Sequence, residues 1–219
     1  VYKRQAMGTV KKTALDEFSN PRKAGIIAVN LDEGDYLIGA ALTDGEHDVM
    51  LFSDGGKAVR FHEGDVRPLG RNARGVRGMT IEEGQSVIAM LVAEDGEQSV
   101  LTATENGYGK RTSIVEYTRH GRGTKGMIAI QQSERNGRVV AATLVHADDE
   151  IMLITDRGVL VRTRVSEIRE LGRATQGVTL IALDEGARLI GLQRIVENDA
   201  QAIIADSEDD SVDEQPPAE

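Results

Sequence analysis

Three sets of glycines recur along this chain in the same order, at a spacing of about 50 residues. The first set is Gly8, Gly56, Gly107 and Gly158; the second is Gly25, Gly75, Gly126 and Gly177; the third is Gly34, Gly84, Gly137 and Gly186. Self-similarity at such a period is the sequence signature of solenoids, propellers and related arrays. The chain is therefore predicted to contain four copies of one unit, at about residues 8–48, 49–99, 100–150 and 151–196.

Each copy of the unit is predicted to consist of short β-strands. The segments VMLFS, VLTAT and IMLIT are apolar, and each is followed by DGG, ENG or DRG and then by a second short strand. This order predicts a hairpin, because hairpin turns need the positive φ that glycine adopts easily. Later segments such as GMIAI and RLIGLQ give about four strands per unit, and no stretch has a long apolar period of 3.6 residues.

The predicted fold class is therefore all-β: a β-pinwheel or propeller-like array of about four four-stranded blades. The glycines assigned to this architecture are Gly8, Gly25, Gly56, Gly75, Gly107, Gly126, Gly158 and Gly177. Residues 1–7 match no part of the repeat, so we expect a partial, irregular start, with the chain beginning inside a blade.

The acidic character of the chain is concentrated at its C-terminal end. Residues 197–219 contain nine acidic residues and no lysine or arginine, while the rest has 27 acidic and 26 basic residues. A segment of low hydrophobicity and like charge cannot bury enough apolar surface to fold. We expect a disordered acidic tail behind a nearly neutral body.

Several functional classes are excluded by composition. The absence of cysteine excludes disulfides, thiol nucleophiles and cysteine-based zinc sites. The four histidines occupy unrelated places in their units, and no phosphate-binding loop or nucleophile elbow occurs. Aromatic residues make up 3%, too few for a base-stacking surface. We therefore expect no catalytic residue, metal or cofactor in this chain, and no membrane span, because no run of about 18 apolar residues occurs.

One stretch, RHGRGTKGMIAI at residues 119–130, has the G-x-G-x-x-G spacing of a dinucleotide-binding turn. That turn requires a strand before it and a helix after it. Gly126 has counterparts in all the other units, where this spacing is absent, and MIAIQQ is too short and too β-like for the helix. The glycine is therefore interpreted as part of the blade.

Charged residues recur at fixed places in the unit. Four residues after the first glycine every unit has a base, and nine residues after it every unit has an acid. The bases are Lys12, Arg60, Arg111 and Arg162, and the acids are Glu17, Asp65, Glu116 and Glu167. These residues can form an ion pair within a blade, which on a surface contributes about 0–1 kcal/mol. Alternatively, the bases contact a polyanion.

Further bases lie in the loops before the second glycine and beside the hairpins. In a propeller-like array, equivalent loops lie at equivalent radius, so their charges form a belt, as bent duplex DNA requires. The predicted DNA-binding residues are Lys11, Lys12, Lys57, Arg60, Arg71, Arg74, Arg77, Lys110, Arg111, Arg119, Arg122, Lys125, Arg162, Arg164 and Arg173.

A set of motifs resembles a known family. GTVKKT, NGYGKRT, ERNG, ITDRGVLVRTRVSEI, GRATQGV and IGLQRIVE together look like the C-terminal domain of bacterial DNA gyrase A. The resemblance extends from about Gly8 to Glu197, and the acidic tail also resembles that family.

The resemblance implies a β-pinwheel of typically six blades that bends DNA around a basic outer rim. It implies that the chain binds duplex DNA without sequence specificity. It also implies that the partners of the chain are the rest of gyrase A and gyrase B, in an A2B2 complex in the bacterial cytoplasm. It also implies that ATP, Mg and the catalytic tyrosine belong to other parts of that complex, and that this chain supports ATP-dependent negative supercoiling without catalysing it.

The sequence departs from the family pattern in two features. Four units correspond to only part of a six-blade domain, and the family heptapeptide Q-R-R-G-G-K-G is absent. HGRGTKG keeps Arg122, Gly123, Lys125 and Gly126 and looks like a degenerate copy. Two alternatives stay open: the equivalent domain of the topoisomerase IV protein that carries the catalytic tyrosine, and a propeller that binds proteins and uses its bases in ion pairs.

Overall fold

The structure is a computed structural model that describes residues 2–93 and 96–196. In chain order its strands are β1 (Tyr2–Gln5), β2 (Thr9–Lys12), β3 (Leu37–Ala41), β4 (Asp48–Ser53), β5 (Lys57–His62), β6 (Val76–Arg77), β7 (Val87–Ala93), β8 (Ser99–Thr104), β9 (Tyr108–Ser113), β10 (Met127–Ile128), β11 (Val139–Val145), β12 (Glu150–Thr155), β13 (Leu160–Arg164), β14 (Val178–Thr179) and β15 (Leu189–Ile195). Four short 3₁₀ turns, Leu15–Phe18, Glu63–Asp65, Ile114–Glu116 and Val165–Glu167, are the helical elements of these ranges, and none could span a bilayer.

The strands form four antiparallel sheets in which neighbouring units exchange a strand. The first three sheets have the orders β3-β1-β2-β6, β7-β4-β5-β10 and β11-β8-β9-β14. In each of them the last strand has two residues and comes from the next unit of the sequence. The sheet of one blade is therefore completed by the unit that follows it, so each blade is locked to its neighbour through backbone hydrogen bonds.

The all-β array of blades is confirmed, with two differences in detail. Residues 2–5 form β1, which pairs with both β2 and β3, so the expectation of an irregular start is wrong for these residues. The fourth sheet has three strands, β13-β12-β15, among the residues described. The predicted acidic tail, residues 197–219, lies outside the described part of the chain.

The hydrophobic core lies between successive blades. All six residues of β4 are buried: Val49 and Leu51 pack in a cluster with Val10 of β2, while Met50 and Phe52 pack in a cluster with Val100 of β8. Successive side chains of a strand point to opposite faces, so both faces of this sheet are covered by neighbours. The central strand of the fourth blade, β12, alternates between buried and half-buried residues instead.

The two edges of the sheets differ in position. Strands β7, β11 and β15, which lie at one edge of three successive sheets, contact one another across the blade boundaries. That edge therefore converges toward the axis of the array. The opposite edge, which carries the exchanged strands β6, β10 and β14, is the outer edge.

The first glycine of each unit is required by conformation and, in three units, by space. Gly8, Gly56, Gly107 and Gly158 all have φ between +75° and +85°. A Cβ on Gly107 would lie 2.5 Å from the Ile181 carbonyl oxygen of the next unit, whereas a Cβ on Gly158 would meet no atom within 4 Å. The difference arises because the glycine packs against the segment that the following unit contributes.

Alanine substitutions at Gly107 and Gly158 distinguish the cost of conformational strain from the cost of steric overlap. Gly158→Ala is expected to lower the free energy of unfolding by about 1–2 kcal/mol, the cost of a left-handed non-glycine residue. Gly107→Ala has the same strain and also overlaps the carbonyl of Ile181, so it should cost about 1–3 kcal/mol more. Urea-induced unfolding of both variants provides the measurement, and equal losses would show that the interblade approach is not tight.

Candidate nucleic-acid interface

Three loops rich in lysine and arginine follow the outer edge. We call residues 66–75, 117–126 and 168–177 the rim loops; each begins after a 3₁₀ turn and leads into an exchanged strand. Together they contain eight lysine or arginine residues and one acidic residue. In a body that is nearly neutral overall, this segregation makes the outer edge electropositive.

An arginine in each rim loop anchors the loop to the segment that follows the second glycine of the preceding unit. The Nη1 of Arg71, Arg122 and Arg173 donates to the carbonyls of Ile27, Arg77 and Ile128, at 2.9, 3.1 and 2.8 Å respectively. These arginines lie four residues before the second glycine, at spacings of 51 residues. That recurrence was the signal from which their shared role could have been found.

The bases at the fourth position of the unit connect successive blades. Lys12 Nζ donates to the carbonyl of Glu63 at 2.8 Å, Arg60 Nη1 to that of Ile114 at 2.9 Å, and Arg111 Nε to that of Ile168 at 2.9 Å. All three carbonyls lie in or next to the 3₁₀ turn of the following unit. These half-buried side chains therefore join each blade to the next by hydrogen bonds.

The ion pairs of these bases differ from the pairing considered from the sequence. Arg60 pairs with Asp48 on β4 at 2.8 Å, and Arg162 pairs with Glu150 on β12, so neither uses the acid at the ninth position. Asp48 is buried and is also held by Arg119 at 3.0 Å. In both cases the acid lies on the neighbouring strand of the hairpin, two residues from the position directly opposite the base.

Two predicted DNA contacts, Lys11 and Lys110, are buried, and this part of the prediction is corrected. Their relative exposures are 1% and 0%. Lys110 Nζ donates to the carbonyls of Gly172 and Arg173 at 2.5 and 2.6 Å, and Lys11 Nζ donates to that of Arg71. Burial lowers the pKa of Lys110 to about 8. A side chain enclosed by the protein cannot reach a phosphate.

The other predicted residues are accessible to different degrees. Arg77 and Lys125 are exposed, and among the residues described neither side chain has a hydrogen-bond or ion-pair partner. Several exposed or half-buried bases have acidic partners: Lys57 with Glu82, Arg74 with Asp32, Arg119 with Asp48, and Arg164 with Glu150 and Glu167. Of the predicted DNA-binding residues, Arg77 and Lys125 are therefore the most available to a polyanion.

A second set of contacts between blades was missed at the sequence level. Arg138 pairs with Asp54 at 3.0 Å, and Arg188 pairs with Glu105 at 2.5 Å. Each acid lies at the end of a hairpin strand, and each base precedes the inner strand of the next sheet. The recurrence of Asp54, Glu105 and Asp156 at 51-residue spacing could have indicated this ladder.

A buried carboxylate replaces an apolar residue in the second blade. Glu63 is fully buried where the third and fourth blades have Ile114 and Val165. Its carboxylate accepts from the Thr43 hydroxyl and from the backbone N–H groups of Gly45 and His47. Burial raises the pKa of Glu63, but these hydrogen bonds outweigh burial and leave it below the ordinary value. The group thus fastens the loop before β4.

These observations define the class: an all-β propeller-like repeat domain with an electropositive outer edge. The chain belongs to the family of the DNA gyrase C-terminal domain, a β-propeller, whose model matches residues 8–44, 47–94, 98–146 and 149–195.

Its relatives include the DNA gyrase A protein of Pseudomonas aeruginosa, at 55% identity over 197 residues, and that of Escherichia coli strain K12, at 54%. The matches cover 90% of this chain and 21% and 22% of the relatives, so the chain spans about a fifth of their length. A solved DNA gyrase A C-terminal domain has a TM-score of 0.80 and 28% identity over 89% of this chain and 65% of that one. The solved C-terminal domain of a DNA topoisomerase IV has a TM-score of 0.87 and 25% identity over 96% and 66%.

The buried carboxylate generates a prediction about acid stability. A depressed pKa in the folded state means that Glu63 contributes stability above its unfolded pKa of about 4.5, and that this stability is lost as the pH falls through the folded value. Glu63→Gln should lower the free energy of unfolding at pH 7 by about 1–3 kcal/mol and flatten its decline below pH 4.5.

The measurement is urea unfolding at several pH values between 3 and 7. The exposed Glu17, changed to Gln, serves as the matched control and should keep the wild-type profile. Parallel profiles for the wild type and Glu63→Gln would contradict the assigned role.

Proposed function

We propose that this chain binds duplex DNA along its outer edge and bends it, without reading its sequence. The observation that carries the proposal is the row of three rim loops, with eight bases and one acid, on the outer edge of the array. Phosphates recur along the whole path of a duplex, and a repeated row of bases matches them. The family to which the chain belongs and the names of its relatives support DNA as the ligand.

The energetic balance favours many weak contacts over a few strong ones. Bending a site of 20–30 base pairs by 40–90° costs on the order of 1–6 kcal/mol. Contacts to phosphates fix position and orientation, while contacts to base edges give specificity. Flexible exposed bases such as Arg77 and Lys125 suit phosphate contact, and they offer no rigid platform for base readout.

At the level of the whole protein, we propose a role in a type II topoisomerase of the gyrase kind. The chain would supply the DNA-bending module of gyrase A in an A2B2 complex with gyrase B, in the bacterial cytoplasm. The ATP and Mg needed for strand passage would bind elsewhere in that complex, and negative supercoiling would be its product. The identity of about 55% to curated gyrase A sequences supports this assignment.

Topoisomerase IV is the second candidate, favoured by one observation. The TM-score to its C-terminal domain, 0.87, exceeds the value of 0.80 for the gyrase domain. The sequence identity to the curated gyrase A proteins is much higher than the 25% to this structure, so the gyrase assignment is preferred.

The contact prediction concerns Arg77 and Lys125, the two most available of the predicted DNA-binding residues. Replacing both Arg77 and Lys125 by alanine should weaken duplex binding on all sequences and reduce the slope of log affinity against log salt by about two units, because each phosphate contact releases about one counterion. Arg157, an exposed base in the hairpin turn of blade four, is the matched control, and Arg157→Ala should leave both quantities unchanged. An unchanged slope in the double variant would remove these bases from the interface.

The wrapping prediction is tested by ligating nicked circular DNA in the presence of the chain. If the outer edge bends DNA with a fixed hand, the sealed circles should show a positive shift in linking number that grows with protein concentration. Steep salt-dependent binding without a shift would mean bending without handed wrapping. No binding at low salt would favour the protein-binding propeller instead.

A further inference from the structure

Two of the three rim loops are each held by a buried lysine side chain. Lys11 and Lys110 occupy the same register, because the neighbouring residues Val10 and Gly109 pair with the exchanged strands β6 and β14 in the same way. The ammonium of Lys110 binds two carbonyls of rim loop 168–177, and that of Lys11 binds one of rim loop 66–75 and the carbonyl of Ala28. Each lysine thus joins a strand of one blade to the loop of the next unit.

Within the described residues, rim loop 117–126 lacks this contact. In blade two the equivalent register is occupied by Val59, next to Ala58, which pairs with β10. An open cavity of about 270 Å³ lies there, lined by Val59 together with His120, Thr124, Lys125, Gly126 and Met127. Rim loop 117–126 therefore covers a space where, in the other two loops, a lysine side chain meets loop carbonyls.

We propose that Lys11 and Lys110 are positioning residues that fix the DNA-facing loops of the following blade, and that rim loop 117–126, alone among the three described rim loops, has no such clamp. The consequence for binding rests on the proposed DNA function. A loop held in place before binding loses less conformational entropy when it meets the duplex. Rim loop 117–126 is held by its own Arg119, which pairs with the buried Asp48, in place of a lysine from below.

The strength of the clamp follows from its chemistry. Hydrogen bonds from a charged donor contribute more than neutral ones, and burial increases their strength further. A lysine without partners would be costly at 0% exposure, so its loss of hydration is compensated only while the loop carbonyls stay in place. The lysine and the loop are therefore stable only together.

One backbone hydrogen bond shared by the three rim loops provides a comparison between them. The amides of Leu69, His120 and Leu171 occupy the same place in the three rim loops, and each donates to the carbonyl of the fourth-position base, Lys12, Arg60 or Arg111. The comparison is made in an Arg119→Ala chain, because in the wild type Arg119, next to His120, also ties rim loop 117–126 to the buried Asp48. In native-state hydrogen exchange, the protection factors of Leu69 and Leu171 should exceed that of His120 by about tenfold. Equal protection would overturn the proposal.

Two variants then remove and add the clamp. Lys110→Met should lower the protection of Leu171 about tenfold while leaving that of Leu69 unchanged. Val59→Lys should place an ammonium in the cavity and raise the protection of His120. Val161→Lys, the same register in blade four, is the control and should leave all three amides unaffected. Unchanged protection of Leu171 in a folded Lys110→Met chain would overturn the proposal.

Binding of a duplex oligonucleotide across a salt series separates positioning from contact. Lys110→Met should weaken binding about threefold with an unchanged salt slope, because a buried lysine releases no counterion. A slope reduced by about one unit would identify Lys110 as a phosphate contact and overturn the positioning role. If the wild-type chain does not bind DNA, the proposed function fails, whereas the exchange data decide the clamp independently.

Discussion

A blade of this protein has two apolar faces and cannot bury both without a neighbour on each side. The alternation along β4, with Val49 and Leu51 toward blade one and Met50 and Phe52 toward blade three, makes each core cluster the joint property of two blades. The exchanged two-residue strands add backbone pairing to the same junctions. The array is therefore stabilised mainly at its interfaces, as in other repeat proteins, where stability depends on nearest-neighbour contacts. The orientation of the rim loops depends on this constraint, because each loop runs from its own blade to the sheet of the preceding one.

The path of these loops explains why so many bases have structural partners. Adjacent residues of a strand point to opposite faces. Lys12 thus donates to the carbonyl of Glu63 in the 3₁₀ turn of the following unit. Lys11, on the other face, donates to the carbonyl of Arg71 in the rim loop that follows this turn. The loop carbonyls need donors, since the loops have few backbone partners of their own. Long basic side chains provide these donors from a distance, and the same side chains make the edge positive.

The sequence contained enough information for the repeat, the all-β class and the basic loops, because glycine spacing and hairpin turns are local signals. It did not reveal the strand exchange, because β6, β10 and β14 are two residues long and pair through backbone atoms. It also missed β1, whose sequence YKRQ has no apolar alternation. Lys110 and Lys125 look alike in sequence, yet one is fully buried and the other exposed, because burial depends on the register of β9 and on a loop contributed by the next unit.

The partners of the bases also determine how much charge the outer edge keeps. Arg71, Arg122 and Arg173 donate to carbonyls, which are neutral, so each guanidinium retains its full charge while it holds the loop. Arg74 and Arg162 pair with carboxylates, and their fields are largely cancelled. A base held by a carbonyl therefore serves the fold and the electrostatic field together, whereas a base held by an acid serves the fold alone. The field at the outer edge follows from this division of partners. Because nine acidic residues of the chain lie in residues 197–219, a chain of formal charge −10 can carry a basic outer edge.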